Sequence, residues 1–199
     1  MRGGLRYPDG RLWCIVLAAG GSSRLGTAKQ LLRYRNRPLI LRAMALAANA
    51  APAGVVVVLG AQAIRLRALL KRHCPSAVPV HNSRWRDGLS GSLRTGVDAL
   101  PANASAALIL LTDQAKLEPS SVERLIAVWR ARPRRPVAAR YGGRIGVPAI
   151  LPRKLWPRLR RLSGDSGARA ILRDREDVVL VDVPEAAFDV DTPADLEAL

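Results

Sequence analysis

The sequence predicts an α/β fold, a single domain of three layers, α/β/α, around a mostly parallel sheet. Short apolar runs alternate with longer stretches of helical periodicity along the 199 residues. Runs such as residues 12–19 and 106–112 are apolar throughout, which is typical of strands buried on both faces. Strands separated by helices form right-handed βαβ units, so the predicted arrangement is Rossmann-like. In such sheets, ligands bind beyond the carboxyl ends of the strands.

The individual elements follow from local patterns. Apolar or β-branched runs, several closed by glycine, predict strands at residues 12–19, 55–59, 78–81, 106–112, 136–140, 147–151 and 178–183. Apolar residues at helical spacing predict helices at residues 38–49, 63–71, 89–100, 119–131, 154–162 and 166–173. We expect residues 1–11 to be a flexible N-terminal tail and residues 12–199 to form the domain.

Composition limits the class of function. The formal net charge of +16 indicates either an anionic partner or a compositional bias, since 28 of the 32 basic residues are arginine. Aromatic residues make up 4% of the chain, too few for the stacking surface of a single-strand binder, so we expect no nucleic-acid partner. No apolar run reaches the roughly 18 residues of a membrane span, and no signal peptide is evident, which predicts a cytoplasmic protein without a membrane partner. Two cysteines predict neither a disulfide nor a zinc site.

A glycine-rich turn follows the first predicted strand. Its small residues allow a ligand to approach the backbone, and free N–H groups there can bind phosphate. Arg24 and Lys29 add positive charge to the same loop. Gly21 and Gly26 have the glycine spacing of a P-loop, but Thr27 occupies the lysine position, and the Rossmann G-x-G-x-x-G does not fit. The alternative is an ordinary strand-to-helix turn with exposed basic residues.

The turn also carries a resemblance to a known family. Residues 17–29, LAAGGSSRLGTAK, resemble the L-A-A-G-x-S-x-R-[ML]-G-x-x-K signature of nucleotidyltransferases related to the molybdenum cofactor enzymes, the MobA-like NTP transferases. The Ala-Ala-Gly form, followed by Gln-Leu-Leu, is similar to the cytidylyltransferase branch, whereas the guanylyltransferase branch usually reads Ala-Gly-Gly. Further segments match in order: NSRWRDGLSGSLRTG at residues 82–96, LTDQ at 111–114, GVP at 146–148, GDSGAR at 164–169 and DVDTPADL at 189–196. Two departures are Ala115, where the family usually has proline, and Val147, where many cytidylyltransferases have histidine.

The resemblance implies a reaction and a set of site residues. The implied reaction transfers CMP from CTP to the phosphate of the molybdopterin cofactor and releases pyrophosphate. It requires alignment of the reactants and neutralisation of negative charge, for which Mg²⁺ bound to carboxylates is suited. The implied catalytic residues are Arg24, Lys29 and Asp113, and the implied metal ligands are Asp113 and Asp191. The implied nucleotide-binding residues are Leu17, Ala18, Ala19, Gly20, Gly21, Ser22, Ser23, Arg24, Lys29, Gly60, Asn82, Gly88, Ser92 and Asp113. Acceptor binding is implied for Pro148, Asp165 and Arg169. The implied partners are CTP, the molybdopterin cofactor and a recipient molybdoenzyme or its maturation factor.

Several of these positions have structural alternatives. Asp113 follows an apolar strand and could simply begin a turn. Asp191 precedes a capping box in which Thr192 is the N-cap and Asp195, at N3, has a structural role. Ser92 could lie on a helix surface, and Arg169 could form a charge pair at a helix end.

The function also has alternatives. A guanylyltransferase, or a transferase acting on a sugar or alcohol phosphate, would have the same fold and similar motifs. A non-catalytic module that binds nucleotide or cofactor would bind triphosphate without releasing pyrophosphate.

Overall fold

The computed structural model describes residues 11–22, 25–50, 53–192, 194 and 195. The predicted tail up to residue 10, together with Ser23, Arg24 and Pro193, lies outside the described residues. The strands are β1 (Arg11–Ala18), β2 (Arg33–Tyr34), β3 (Arg37–Pro38), β4 (Gly54–Leu59), β5 (Val78–His81), β6 (Ala104–Leu111), β7 (Val137–Tyr141), β8 (Arg144–Pro152) and β9 (Val179–Asp182). The α-helices are α1 (Leu39–Asn49), α2 (Ala63–His73), α3 (Leu89–Asp98), α4 (Pro119–Ala131), α5 (Trp156–Arg160) and α6 (Arg169–Leu172).

The described strands form a seven-stranded sheet in the order β5-β4-β1-β6-β8-β7-β9, which confirms the predicted single-domain, mostly parallel α/β fold. Strand pairs β1–β4, β1–β6, β4–β5 and β7–β9 are parallel. Strand β8 pairs antiparallel with both β6 and β7. Gly142 and Gly143, both at positive φ, close the β7–β8 hairpin, because two consecutive left-handed residues match the twist of the strands.

The core lies on both faces of the sheet. Successive side chains of a strand point to opposite faces, so β1 contributes to two separate apolar clusters. Cys14 and Val16 pack with residues of α1, α2 and α4 on one face. Ile15 and Leu17 pack with residues of α3, α5 and α6 on the other. The three-layer arrangement therefore follows from the unbroken apolar run of β1, which buries both of its faces.

The register of β1 determines where the site forms. Leu17 is paired with Leu111 of β6, and Ala18 with Leu59 of β4, so the carboxyl ends of these three central strands meet at one edge. The glycine turn after β1 therefore lies beside Asp113, which is the second residue after β6. This is the edge at which the sequence predicts a ligand.

All predicted helices and strands are present, with differences in length. The helix predicted over residues 166–173 is only the single turn α6, and the one predicted over residues 154–162 is a 3₁₀ turn, Arg153–Leu155, followed by α5. The short β2–β3 hairpin and a 3₁₀ turn, Lys29–Leu31, were not predicted.

Candidate nucleotide site

Two side chains fold the glycine turn back onto the 3₁₀ turn that follows it. The Ser22 hydroxyl accepts a hydrogen bond from the Lys29 backbone N–H at 3.0 Å. The buried Gln30 amide nitrogen donates to the carbonyl oxygens of Ala18 (3.2 Å) and Gly20 (2.8 Å). One amide side chain therefore binds both carbonyls at the start of the turn.

Lys29 lies between two carboxylates that are remote in sequence. Its ammonium nitrogen is 2.5 Å from Asp113 Oδ2 and 2.9 Å from Asp191 Oδ1. The side chains of Lys29 and Asp113 are only 15% and 17% exposed, so solvent screens the pair weakly. Burial alone would lower the pKa of Lys29, but the charges and hydrogen bonds of Asp113 and Asp191 outweigh it and raise the pKa. The ammonium is therefore charged at neutral pH.

The segment that carries Asp191 is held beside Asp113 by the backbone. The Asp113 carbonyl accepts a hydrogen bond from the Val190 N–H at 3.0 Å. Asp195 Oδ2 accepts from the backbone N–H groups of Asp191 (2.9 Å) and Thr192 (2.7 Å). The Asp195 N–H in turn lies 3.4 Å from the Thr192 hydroxyl, so the hydrogen bonds of the predicted capping box are present. The cap leaves the Asp191 carboxylate directed toward Lys29.

The negative charge at this edge exceeds the charge of Lys29. The pKa of Asp189 is raised to about 7, first by burial of its carboxylate and then by the negative charges of Asp113 and Asp191, although part of its side chain remains exposed. Asp113 Oδ1 is buried and has no hydrogen-bond partner among the described residues. An excess of carboxylate and an unpaired buried oxygen fit a bound hard cation.

The described residues do not form a complete metal cage. No group of three His, Cys, Asp or Glu side chains in the described ranges is arranged to hold a metal ion. Mg²⁺ is usually held by one or two carboxylates, with water and substrate phosphate completing its octahedron. A pair of aspartates therefore fits an ion that binds together with a nucleotide.

A cavity of about 650 Å³ opens beside the glycine turn. Nine residues implied by the resemblance line it: Leu17, Ala19, Gly20, Gly21, Lys29, Gly88, Ser92, Asp113 and Asp165. Gln30, Trp85, Arg86, Leu89, Leu111 and Thr112 complete the lining. The cavity thus combines a backbone turn, a lysine and an aromatic wall, as a nucleotide would require.

Other predicted nucleotide-binding residues do not line this cavity. Asn82 is buried, and its amide nitrogen donates to the Ser92 hydroxyl at 3.1 Å, so Ser92 is not an exposed helix-surface residue. Gly60 packs against Ala19, whose carbonyl accepts a hydrogen bond from Ala61 N–H. Ala18 and Ser22 are occupied by the hydrogen bonds to Gln30 and Lys29 and do not line the cavity. These residues support the lining from outside the cavity.

Trp85 forms the aromatic wall. A Cβ at Gly21 would lie 2.6 Å from Trp85 Cζ3, so only glycine allows the ring to lie against the turn. The Arg86 guanidinium carbon lies 4.4 Å from the centroid of the Trp85 ring, within the range of a cation–π contact. Gly88 has φ +106°, and its Cα faces the backbone of Gly164, where a side chain would collide. Trp85 belongs to the family segment at residues 82–96, but the sequence alone indicates no role for it.

A second, smaller cavity adjoins the first. It measures about 110 Å³ and shares Leu17, Leu89 and Leu111 with the larger one. Its remaining lining includes Leu93, Ile109, Tyr141, Gly146, Val147, Gly167, Ala168 and Arg169. Of the predicted acceptor residues, Arg169 lines this cavity and Asp165 lines the larger one. Pro148 is buried within β8 and lines neither cavity, although its neighbours Gly146 and Val147 line the smaller one.

Gln114 connects this second cavity to the Asp191 segment, residues 186–191. Its buried side-chain nitrogen donates to the carbonyl oxygens of Val147 and Ala186, both at 2.9 Å. The sequence identifies Gln114 and Gln30 only as members of motifs. It does not indicate which backbone carbonyls their side-chain amides bind.

Comparisons with known proteins show the family to which the chain belongs. Residues 14–179 match the family described as the MobA-like NTP transferase domain. The chain is 35% identical to the nicotine blue oxidoreductase of Paenarthrobacter nicotinovorans, over 89% of this chain and 91% of that protein. It is 30% identical to the 2-C-methyl-D-erythritol 4-phosphate cytidylyltransferase of Xanthomonas campestris, over 94% and 82% of the two chains.

Among solved structures, Rv0371c of Mycobacterium tuberculosis superposes with a TM-score of 0.81 at 29% identity, covering 96% of this chain and 97% of that one. A manganese complex of Rv0371c gives a TM-score of 0.75 at 27% identity, with the same coverage. No helix in the described part of the chain is long and apolar enough to cross a membrane. The family match over most of the sequence, the fold and the cavity together identify the chain as a nucleotidyltransferase of the MobA-like NTP transferase family.

Proposed function

We propose that the protein transfers CMP from CTP to the phosphate of the molybdopterin cofactor and releases pyrophosphate. The observation that carries this proposal is the position of Lys29, whose ammonium bridges Asp113 and Asp191 at the end of a cavity walled by the glycine turn. Such a site supplies positive charge and carboxylates where a triphosphate has to be aligned.

The glycine turn would hold the triphosphate. The backbone N–H groups of Gly20 and Gly21 have no acceptor among the described residues, so both can donate to phosphate oxygens. Lys29 would neutralise negative charge on the same group as a point charge. Arg24, on the same loop, is proposed to add a second cation.

Asp113 and Asp191 are the residues proposed to hold Mg²⁺. The unpaired, buried Oδ1 of Asp113 supports this assignment, and one relative, Rv0371c, is known in complex with manganese. When bound, the ion would neutralise the charge that develops on the α-phosphate and on the leaving pyrophosphate.

The acceptor would enter through the second cavity. An oxygen of the acceptor phosphate attacks the α-phosphorus of CTP, forming a P–O bond while the bond from that phosphorus to the bridging oxygen of the β-phosphate breaks. The acceptor phosphate is already ionised at neutral pH, so no general base is required. Arg169 is proposed to bind that phosphate, and the apolar lining around Val147 would contact a flat ring system better than a polyol.

Cytosine is the proposed base. The Ala-Ala-Gly form of the turn resembles the cytidylyltransferase branch, and the Xanthomonas campestris relative is itself a cytidylyltransferase. Gly88 and Ser92 line the same cavity as the turn and are proposed to contact the base. We further propose a cytoplasmic site of action. The proposed partner for the product is a recipient molybdoenzyme or its maturation factor.

Two other functions have an observation in their favour. The similarity to the Xanthomonas campestris enzyme favours an alcohol phosphate, 2-C-methyl-D-erythritol 4-phosphate, as an alternative acceptor. The 35% identity to the nicotine blue oxidoreductase favours an oxidoreductase that acts on nicotine blue.

One assay separates these functions. Pyrophosphate release is measured with CTP, GTP, UTP or ATP and Mg²⁺, with the molybdopterin cofactor, the erythritol phosphate or no acceptor. The proposal predicts pyrophosphate release only when CTP and the molybdopterin cofactor are both present. Release with GTP as the only active nucleotide, or with the erythritol phosphate as the only active acceptor, contradicts it. Conversion of nicotine blue without pyrophosphate release supports the oxidoreductase. Binding of triphosphate without either reaction indicates a non-catalytic module.

A further inference from the structure

Arg86 lies at the nucleotide cavity and was assigned no role by the resemblance. It lines the cavity and is exposed, and it forms no ion pair with any described residue. An unpaired arginine on a protein surface is usually only solvated, so exposure and charge alone do not make it a binding residue. Its neighbours supply the further observations.

The Arg86 guanidinium stacks on the Trp85 ring. Its carbon lies 4.4 Å from the centroid of the Trp85 ring, and Trp85 in turn lies against the space that a Cβ of Gly21 or Gly60 would occupy. A planar guanidinium stacked on a fixed ring keeps its N–H donors in the plane at its edge, where they can bind a phosphate with two parallel bonds. Less side-chain entropy is then lost when a ligand binds.

The position of Arg86 relative to the other cationic group is also informative. Lys29 and Arg86 line the same cavity. Lys29 is neutralised by two aspartates, whereas Arg86 contributes an uncompensated charge. Arg86 is therefore a cation of the cavity lining that no ion pair among the described residues neutralises.

We infer that Arg86, stacked on Trp85, is a phosphate-binding residue of this cavity, which takes a phosphate group of the nucleotide or of the acceptor. This inference rests on the proposed function for the nature of the two ligands. It assigns Trp85 a positioning role, because the ring keeps the guanidinium at the cavity.

Arg84 provides a matched control. It lies on the same loop two residues earlier, pairs with Asp87 at 2.6 Å and lines a neighbouring cavity instead of this one. Arg86→Met and Arg84→Met therefore remove the same charge at positions two residues apart. Arg86→Lys keeps the charge but loses the planar fork, and thermal unfolding of each variant shows whether the fold is intact.

The test is calorimetric binding of CTP, CMP, cytidine and inorganic pyrophosphate, followed by the KM for the acceptor. We expect Arg86→Met to weaken CTP and pyrophosphate binding about tenfold, the loss of one charge-assisted contact, with cytidine unaffected. Arg86→Lys should recover part of the loss, and Arg84→Met should change neither value.

A tenfold rise in the acceptor KM with unchanged CTP affinity would assign Arg86 to the acceptor phosphate and also supports the inference. Unchanged values for every phosphate ligand, equal losses in Arg84→Met, or an equal loss for cytidine would overturn it. The calorimetric binding measurements require no turnover. Absence of pyrophosphate release would therefore refute the proposed function without changing what the binding measurements say about Arg86.

Discussion

The Lys29 ammonium nitrogen lies 2.5 Å from Asp113 Oδ2, although 84 positions separate the two residues. The contact exists because β1 and β6 are neighbours in the sheet and end at the same edge. A second carboxylate, Asp191, reaches the same nitrogen at 2.9 Å. Binding of a triphosphate with a divalent cation would change this balance of charge, since both the phosphates and the cation compete for the groups that are paired here.

Asp113→Asn tests the proposed metal ligand. We expect pyrophosphate release to fall at least about 100-fold, because the change removes a charge from the site where phosphate charge has to be neutralised. The amide keeps the size of the side chain, so thermal unfolding should remain cooperative. Asp98→Asn is the control, since Asp98 pairs with Arg160 on the surface and lies outside the cavity. Near-full activity in Asp113→Asn would remove Asp113 from the mechanism.

Lys29→Ala tests the cation on the glycine turn. Loss of the ammonium should weaken CTP binding about tenfold or more, and it leaves Asp113 and Asp191 without their shared partner. Calorimetric titration with CTP measures the effect. Lys71→Ala, on the exposed face of α2, is the matched control and should bind CTP normally. Equal affinities in the two variants would argue against a role for Lys29 in binding.

The central part of this site could be predicted because it depends on short motifs at the ends of strongly apolar strands. Lys29 and Asp113 each follow a strand whose burial is evident from composition, and parallel strands bring such ends together. The roles of Gln30, Trp85 and Gln114 could not be predicted, because each depends on backbone carbonyls or glycines that are distant along the chain.

The antiparallel strand β8 shows a similar limit on predicting the fold. Residues 147–151 have the apolar run of a buried strand, and such a run has no feature that specifies its direction. The direction depends on the hairpin at Gly142 and Gly143, whose positive φ values reverse the chain. Of the GVP motif in this strand, Gly146 and Val147 line the second cavity, whereas Pro148 is buried and lines neither cavity.

Gly21→Ala tests the contact between the glycine turn and the aromatic wall. The new Cβ would lie 2.6 Å from the Trp85 ring, so the ring or the turn must move, at a cost of about 1–3 kcal/mol. We expect a lower unfolding temperature and weaker CTP binding. Gly20→Ala, where a Cβ meets nothing within 4 Å, should unfold like the wild type.

A second-site change separates this clash from a general effect of alanine in the turn. In the Gly21→Ala, Trp85→Leu double variant the obstructing ring is absent. The loss of unfolding free energy in the double variant should therefore be smaller than the sum of the losses in the two single variants. Additive losses would show that the turn is destabilised for a reason other than Trp85.

Gln114→Leu tests whether the second cavity and the aspartate segment are coupled. The change leaves the carbonyl oxygens of Val147 and Ala186 without their donor, and a buried unpaired polar group costs about 1–3 kcal/mol. Because one side chain holds both segments, the acceptor wall and the Asp191 segment should loosen together. We expect the KM of the acceptor to rise and kcat to fall, with CTP affinity nearly unchanged, since Gln114 does not line the nucleotide cavity. Gln62→Leu, outside both cavities, is the control, and a stability loss in Gln114→Leu with wild-type kinetics would limit Gln114 to a purely structural role.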